Sequence, residues 1–151
     1  MRGMGRMKKV LLISWMLVIF IFSSKEAGQS NAQSYQVGEV VCTIVNPSFS
    51  TLPQQEKQET IESINYMVRK TAHFTEYTML GLLLGLAFPN GSRYLLFEIG
   101  VAYAATDEFH QLFVSGRTPQ VKDVAIDSMG VLFGLLLYCL IKQIKKQIKG
   151  S

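Results

Sequence analysis

Two stretches of this chain gather side chains able to do proton or anion chemistry inside apolar surroundings: 70-KTAHFTEYT-78 and 107-DEFHQLFVSGRTPQVKDVAID-127. At about 100° per residue, Lys70, His73 and Tyr77 form one helical stripe, and Glu76 sits about 60° from His73. In the second stretch Asp107, Glu108, His110 and Gln111 come close together, Arg117 follows, and Asp123 and Asp127 lie one helical turn apart. A histidine among carboxylates can exchange a proton near neutral pH, and arginine or lysine can hold an anion. Three roles fit such a set. It can be a structural network in which Arg117 and Lys70 neutralise the acids. It can be a pocket for an anionic or amphiphilic ligand, with Arg117, Lys70 and His73 as the anion-binding groups. It can be a catalytic centre in which His73 or His110 is acid or base beside Glu76, Asp107 and Glu108.

Other chemistries find less support. The order Asp-Glu-Phe-His departs from the HExxH pattern of helical zinc sites, so no metal is expected. Neither a serine elbow, a phosphate-cradling glycine loop nor a dinucleotide motif is present, and no cofactor is expected. The net charge of +4 is not gathered on a basic, groove-reading soluble domain, so nucleic acid is not an expected partner.

The elements that must position these residues are apolar blocks, for hydrophobic residues make up 48% of the chain and charged ones only 17%, and the charges avoid four long runs. The runs are 10-VLLISWMLVIFIF-22, 77-YTMLGLLLGLAF-88, 94-YLLFEIGVAYAAT-106 and 124-VAIDSMGVLFGLLLYCLI-141. Each is near or below the ~20 residues that cross a bilayer, so the spans must borrow polar flanks. That requirement carries the third helix to about Val114 and puts Asp107, Glu108 and His110 within the outer leaflet. Charges at that depth normally face the bundle and pair.

Orientation follows from Arg2, Arg6, Lys8, Lys9, Arg93, Lys142, Lys145, Lys146 and Lys149, which four spans would place on one side, the cytoplasm. The expected fold is therefore an all-α integral membrane protein, a bundle of four transmembrane helices plus an outer amphipathic helix. Its parts are a cytoplasmic N-terminus and first span over 1–24, an extracytoplasmic segment over 25–69, a core of three further spans over 70–141, and a basic cytoplasmic tail over 142–151. A cleaved leader is the rival reading of the first span, given the basic start and the small residues of 27-AGQSNAQS-34.

Residues 25–40 read as a flexible outer loop, with 35-YQVGEVVCTIV-45 as a short strand or a surface-lying segment. From Thr51 the pattern becomes helical: Thr51 can cap, Pro53 suits a first turn, and Ile61, Ile64 and Val68 share a face. Gly81 and Gly85 on one span and Gly130 and Gly134 on another make two small-residue stripes suited to facing each other. Gly116, with Pro119 after it, supplies a turn returning Arg117 and Lys122 toward the cluster. Glu98 is an acid inside an apolar run, protonated or close to the inner surface. Cys42 and Cys139 fall on opposite sides of the membrane and are not expected to pair.

The blocks 70-KTAHFTEYTMLG-81 and 107-DEFHQLFVSGRTPQVKDVAIDSMGVLFG-134 resemble, in order, spacing and residue type, the VanZ-like family of bacterial membrane proteins, named for a teicoplanin-resistance protein. The family's polar motif positions fall on Lys70, His73, Glu76, Tyr77, Asp107, Glu108, His110, Gln111, Arg117, Asp123 and Asp127, the set reached above from helical geometry. After its first span the family tends to carry Phe-Ser-Ser-Gln, and here Lys25 replaces the glutamine, though the match favours keeping that span. The resemblance implies a multi-pass bacterial plasma-membrane protein. It also links the chain to glycopeptide antibiotics, which act on lipid-linked cell-wall precursors, although no biochemical activity is established for the family. The expected partners are the lipid membrane and an envelope amphiphile or lipid-linked precursor.

Overall fold

The structure, a computed structural model, describes residues 2–150. Among these it contains five α-helices and no strand: α1 (Arg2–Ser23), α2 (Ala27–Val45), α3 (Gln54–Ala87), α4 (Arg93–Gln111) and α5 (Val121–Gly150). A 3₁₀ turn over Pro47–Thr51 joins α2 to α3.

Residues 27–45 are thus a helix: the flexible loop expected over 25–40 and the strand offered for 35–45 are not formed, and the surface-lying alternative for 35–45 is the nearer one. Packing explains the difference: Ser34, Gly38 and Cys42, four residues apart, form a buried stripe that lies on α3. A Cβ on Gly38 would come within 2.8 Å of Ile61 Cγ2, so the missing side chain is what lets α2 settle there. Local composition favoured a loop, and tertiary burial overrides it. Cys42, Phe49 and Ile61, with Tyr35, Leu52 and Ile64 against them, make a small second core under this layer.

The surface helix and the second apolar run form one continuous helix, α3, of 34 residues, about 51 Å long at 1.5 Å per residue. The boundary expected at 69/70 falls inside it. Thr51 does not cap it. Its hydroxyl donates back to the Ser48 carbonyl at 2.7 Å, and α3 begins three residues later, after Pro53. Nor does α4 reach Val114. It ends at Gln111, where Leu112, Phe113 and Val114 bond to carbonyls three residues back and wind the chain into a tight turn. Gly116 completes that turn with φ +71°, a conformation that favours glycine.

The main core lies where α1, α3, α4 and α5 meet and includes Ile19, Tyr77, Leu80, Leu84, Ala104 and Val131. The small-residue stripes do face each other. A side chain on Gly81 would run into the Val131 carbonyl, one on Gly134 into that of Thr78, and one on Gly130 would lie 2.6 Å from that of Phe74. The backbones of α3 and α5 therefore touch, as small-xxx-small surfaces permit.

The two ends of the bundle differ in chemistry. At one end Lys142 Nζ donates to the Pro89 carbonyl at 3.3 Å, Lys9 lies over the Phe88 ring and Arg93 over Tyr138. At the other, Ala27 N donates to the Ser115 carbonyl at 3.2 Å and Arg117 Nε to that of Lys25 at 3.2 Å, which ties the α1–α2 elbow to the turn after α4. Around the sides, large apolar groups point outward, among them Leu17, Leu95, Leu132 and Leu136.

By length and hydropathy one helix among the described residues, Val121–Lys149, is long and apolar enough to cross a membrane. The pair Gly5–Ser23 and Ala27–Val45 passes only together, bent by 105°. The polar cluster residues lower the hydropathy of α3 and α4, and on α4 Arg93 and Glu98 add to the effect.

Candidate functional site

The site is built where the C-terminal ends of α1 and α4 and the N-terminal end of α5 meet the middle of α3. Three contacts fix α1 in place. Trp15 Nε1 donates to the Glu76 carbonyl at 2.9 Å, the Tyr103 hydroxyl donates to the Met16 carbonyl at 2.6 Å, and Ile19 is buried in the core. A buried indole or phenol needs a polar partner, and both find one in backbone carbonyls of a neighbouring helix.

Beside these contacts runs a groove of about 1010 Å³ between α1, α2 and α3. Its walls are mostly apolar, with Trp15, Ile19 and Met79 on one side and Val37, Ile64 and Met67 on the other. Between them lies a polar band that includes Ser23, Arg69, His73, Glu76, Asp107 and Arg117. Four of the eleven expected residues thus share one surface: His73, Glu76, Asp107 and Arg117.

Two more stand directly behind them. His73 Nδ1 lies 3.4 Å from Asp127 Oδ1, and Asp127 is completely buried. Tyr77 is also fully buried, and its ring is 6.3 Å from that of Tyr103. Among the described residues the Tyr77 hydroxyl, both Asp127 oxygens, one Asp107 oxygen and the Ser23 hydroxyl are buried without a hydrogen-bond partner. Most buried polar groups are satisfied, so their collection at one place marks the site out from the rest of the bundle.

The other expected residues are arranged differently. Lys70 does not line the groove; it pairs with Asp123 in the first turn of α5, and both charges are used up within the protein. Glu108 is 4% exposed and is saturated: one oxygen accepts from Gln111 Nε2 at 3.2 Å, the other from the Gln120 backbone N–H at 3.0 Å. It thereby ties the end of α4 to the approach to α5. His110 stands apart from His73. Its ring stacks on Phe20 at 4.5 Å, and its Nε2 is 3.1 Å from the Ser24 hydroxyl. Glu98 is exposed, in the second turn of α4.

Sequence reasoning missed Arg69 and Trp15. Arg69 precedes Lys70 by about 100° of helical rotation, and it is Arg69 that reaches the groove, where its Nη1 donates to Asn31 Oδ1 at 3.1 Å. The signal available was the pair of acids on α5, one of which had to claim a cation from α3. Arg117 sits half-buried in the turn after α4, and its pKa is lowered from the usual arginine value, first by desolvation and then by the nearby charge of Arg69. The acids Glu108, Asp107 and Asp123 act in the opposite direction.

Chemically the arrangement offers a cationic pair, a histidine facing a buried carboxylate, and two further acids in a groove lined mostly by hydrocarbon. Neither a curated protein nor a solved structure matches the chain. The family model VanZ/LLP1 matches residues 9–142, and the chain belongs to the VanZ/LLP1 family.

Proposed function

We propose that this chain is a multi-span protein of the bacterial plasma membrane that binds a cell-envelope amphiphile, such as a lipid-linked precursor, in the groove between α1, α2 and α3. The observation that carries this reading is the groove itself. Its volume of about 1010 Å³ is at the upper end for small-molecule pockets. Hydrocarbon walls with a band of charged and polar groups between them match a ligand with both an apolar and a polar part.

The membrane setting is supported by the belt of exposed aliphatic side chains and by the clustering of Lys9, the 88–93 connection and Lys142 at one end. In this reading α1, the second half of α3, α4 and α5 are the four spans, with both termini in the cytoplasm and the groove opening toward the outer leaflet. The first span is retained, because Trp15, Ile19 and the Met16 carbonyl are parts of the site and its supports. An effect on glycopeptide susceptibility would follow from binding the precursors those antibiotics act on.

One observation favours a second, enzymatic reading. His73 lines the groove while Asp127 behind it faces Nδ1 at 3.4 Å, an arrangement that leaves Nε2 free to act as acid or base on a bound headgroup.

Photocrosslinking tests the binding reading. A photoreactive residue at Met67, in the groove wall, is expected to give a saturable adduct with a labelled lipid that excess unlabelled lipid competes away. The same group at Tyr94, exposed on α4, is expected to label without saturation. Non-saturable labelling at both positions would count against a groove ligand.

A further inference from the structure

Arg69 and Arg117 reach the same groove from different parts of the chain, one from the middle of α3 and one from the turn after α4. Each is held by one hydrogen bond to a neutral acceptor: Arg69 Nη1 to Asn31 Oδ1, and Arg117 Nε to the Lys25 carbonyl. Among the described residues neither guanidinium is within ion-pair distance of a carboxylate, whereas Lys70 is. Two like charges brought together beside hydrocarbon repel each other, and an anion between them reverses the sign of that interaction. Each planar fork still has donors to give, in the geometry that suits phosphate oxygens.

We propose that Arg69 and Arg117 form the seat for a phosphate group of the bound amphiphile, an inference that rests on the groove-binding reading above. The acids of the groove do not cancel the seat. Glu76 is two helical turns beyond Arg69 on α3, about 10 Å along the axis, and Asp107 is almost fully buried. Neither carboxyl group is within ion-pair distance of Arg69 or Arg117, so both guanidinium groups keep their charge for the anion. The contact of Arg117 with Lys25 and that of Arg69 with Asn31 also link the seat to the α1–α2 elbow and to α2, so the phosphate would join α2, α3 and the turn after α4 at one point.

The test is a titration of the purified full chain with dioleoyl phosphatidate, with dioleoylglycerol carrying the same acyl chains, and with inorganic phosphate, each read by native mass spectrometry. The chain is expected to hold phosphatidate at least about tenfold more tightly than dioleoylglycerol. Arg69→Gln and Arg117→Gln should each remove most of that preference, bringing phosphatidate binding down toward that of dioleoylglycerol. Arg69→Lys and Arg117→Lys, which keep the charge and lose the fork, should retain part of it even if a glutamine variant fails to fold.

Unchanged phosphatidate binding in a folded double glutamine variant would overturn the arginine seat and leave the groove reading standing. If neither lipid binds, the groove reading itself fails. Binding of inorganic phosphate with no binding of phosphatidate would overturn the assignment to a lipid headgroup.

Discussion

His73 on α3 places its Nδ1 3.4 Å from Oδ1 of Asp127 on α5, and Asp127 has no exposed surface. The contact spans the helix pair that the four glycines bring together, so the two features depend on each other. Close backbones set the distance, and the polar pair gives that distance a chemical use.

Removing one partner of this pair should cost more than removing both. His73→Ala leaves a buried carboxylate facing nothing, a change worth about 3 kcal/mol. Adding Asp127→Ala should recover a large part of the loss. Thermal or denaturant unfolding of the single and double variants in detergent measures the coupling. Strictly additive losses would mean the two side chains do not interact.

The glycine contact between α3 and α5 makes a separate prediction. Gly81→Leu drives a side chain into the Val131 carbonyl and should destabilise the protein by at least about 2 kcal/mol, through overpacking against backbone that has nowhere to move. Gly28→Ala, where no atom lies within 4 Å of the added methyl, should be neutral or slightly stabilising, because alanine is the better helix former. Comparable melting temperatures for the two variants would show that the α3–α5 contact is looser than described.

Much of this was legible from spacing. Glycines at intervals of four and acids one turn apart specify faces, and two such faces on apolar helices have few ways to pack. His73, Glu76, Asp107 and Arg117 were recognisable as a group because charge at one depth needs company. What the sequence hid was decided by tertiary contact. Residues 27–45 look like a loop until Gly38 is placed against Ile61. Lys70 and Arg69 are adjacent, and only the position of Asp123 decides which of them is used up. His110 and His73 looked equivalent, yet His110 lies on the side of α4 that meets the end of α1, where its ring stacks on Phe20.

Topology can be read by labelling. In a background with Cys42 and Cys139 replaced by serine, a cysteine at exposed Ser115 should react with a membrane-impermeant maleimide on intact cells. One at exposed Ser92 should react only after permeabilisation. Labelling of both from the same side would remove the four-span arrangement, and reversal of the pattern would invert it.

The central claim is that the groove holds an amphiphile, and the lipid carried through purification measures it most directly. Native mass spectrometry of the chain extracted from its own membrane should show one retained amphiphile per chain. Ala72→Phe, which projects a ring into the groove, should lose it. Ala105→Phe, at an exposed position on α4 outside the groove, should keep it. Equal retention by the filled-groove variant and the control, or no retained amphiphile in any of the three, would contradict the account.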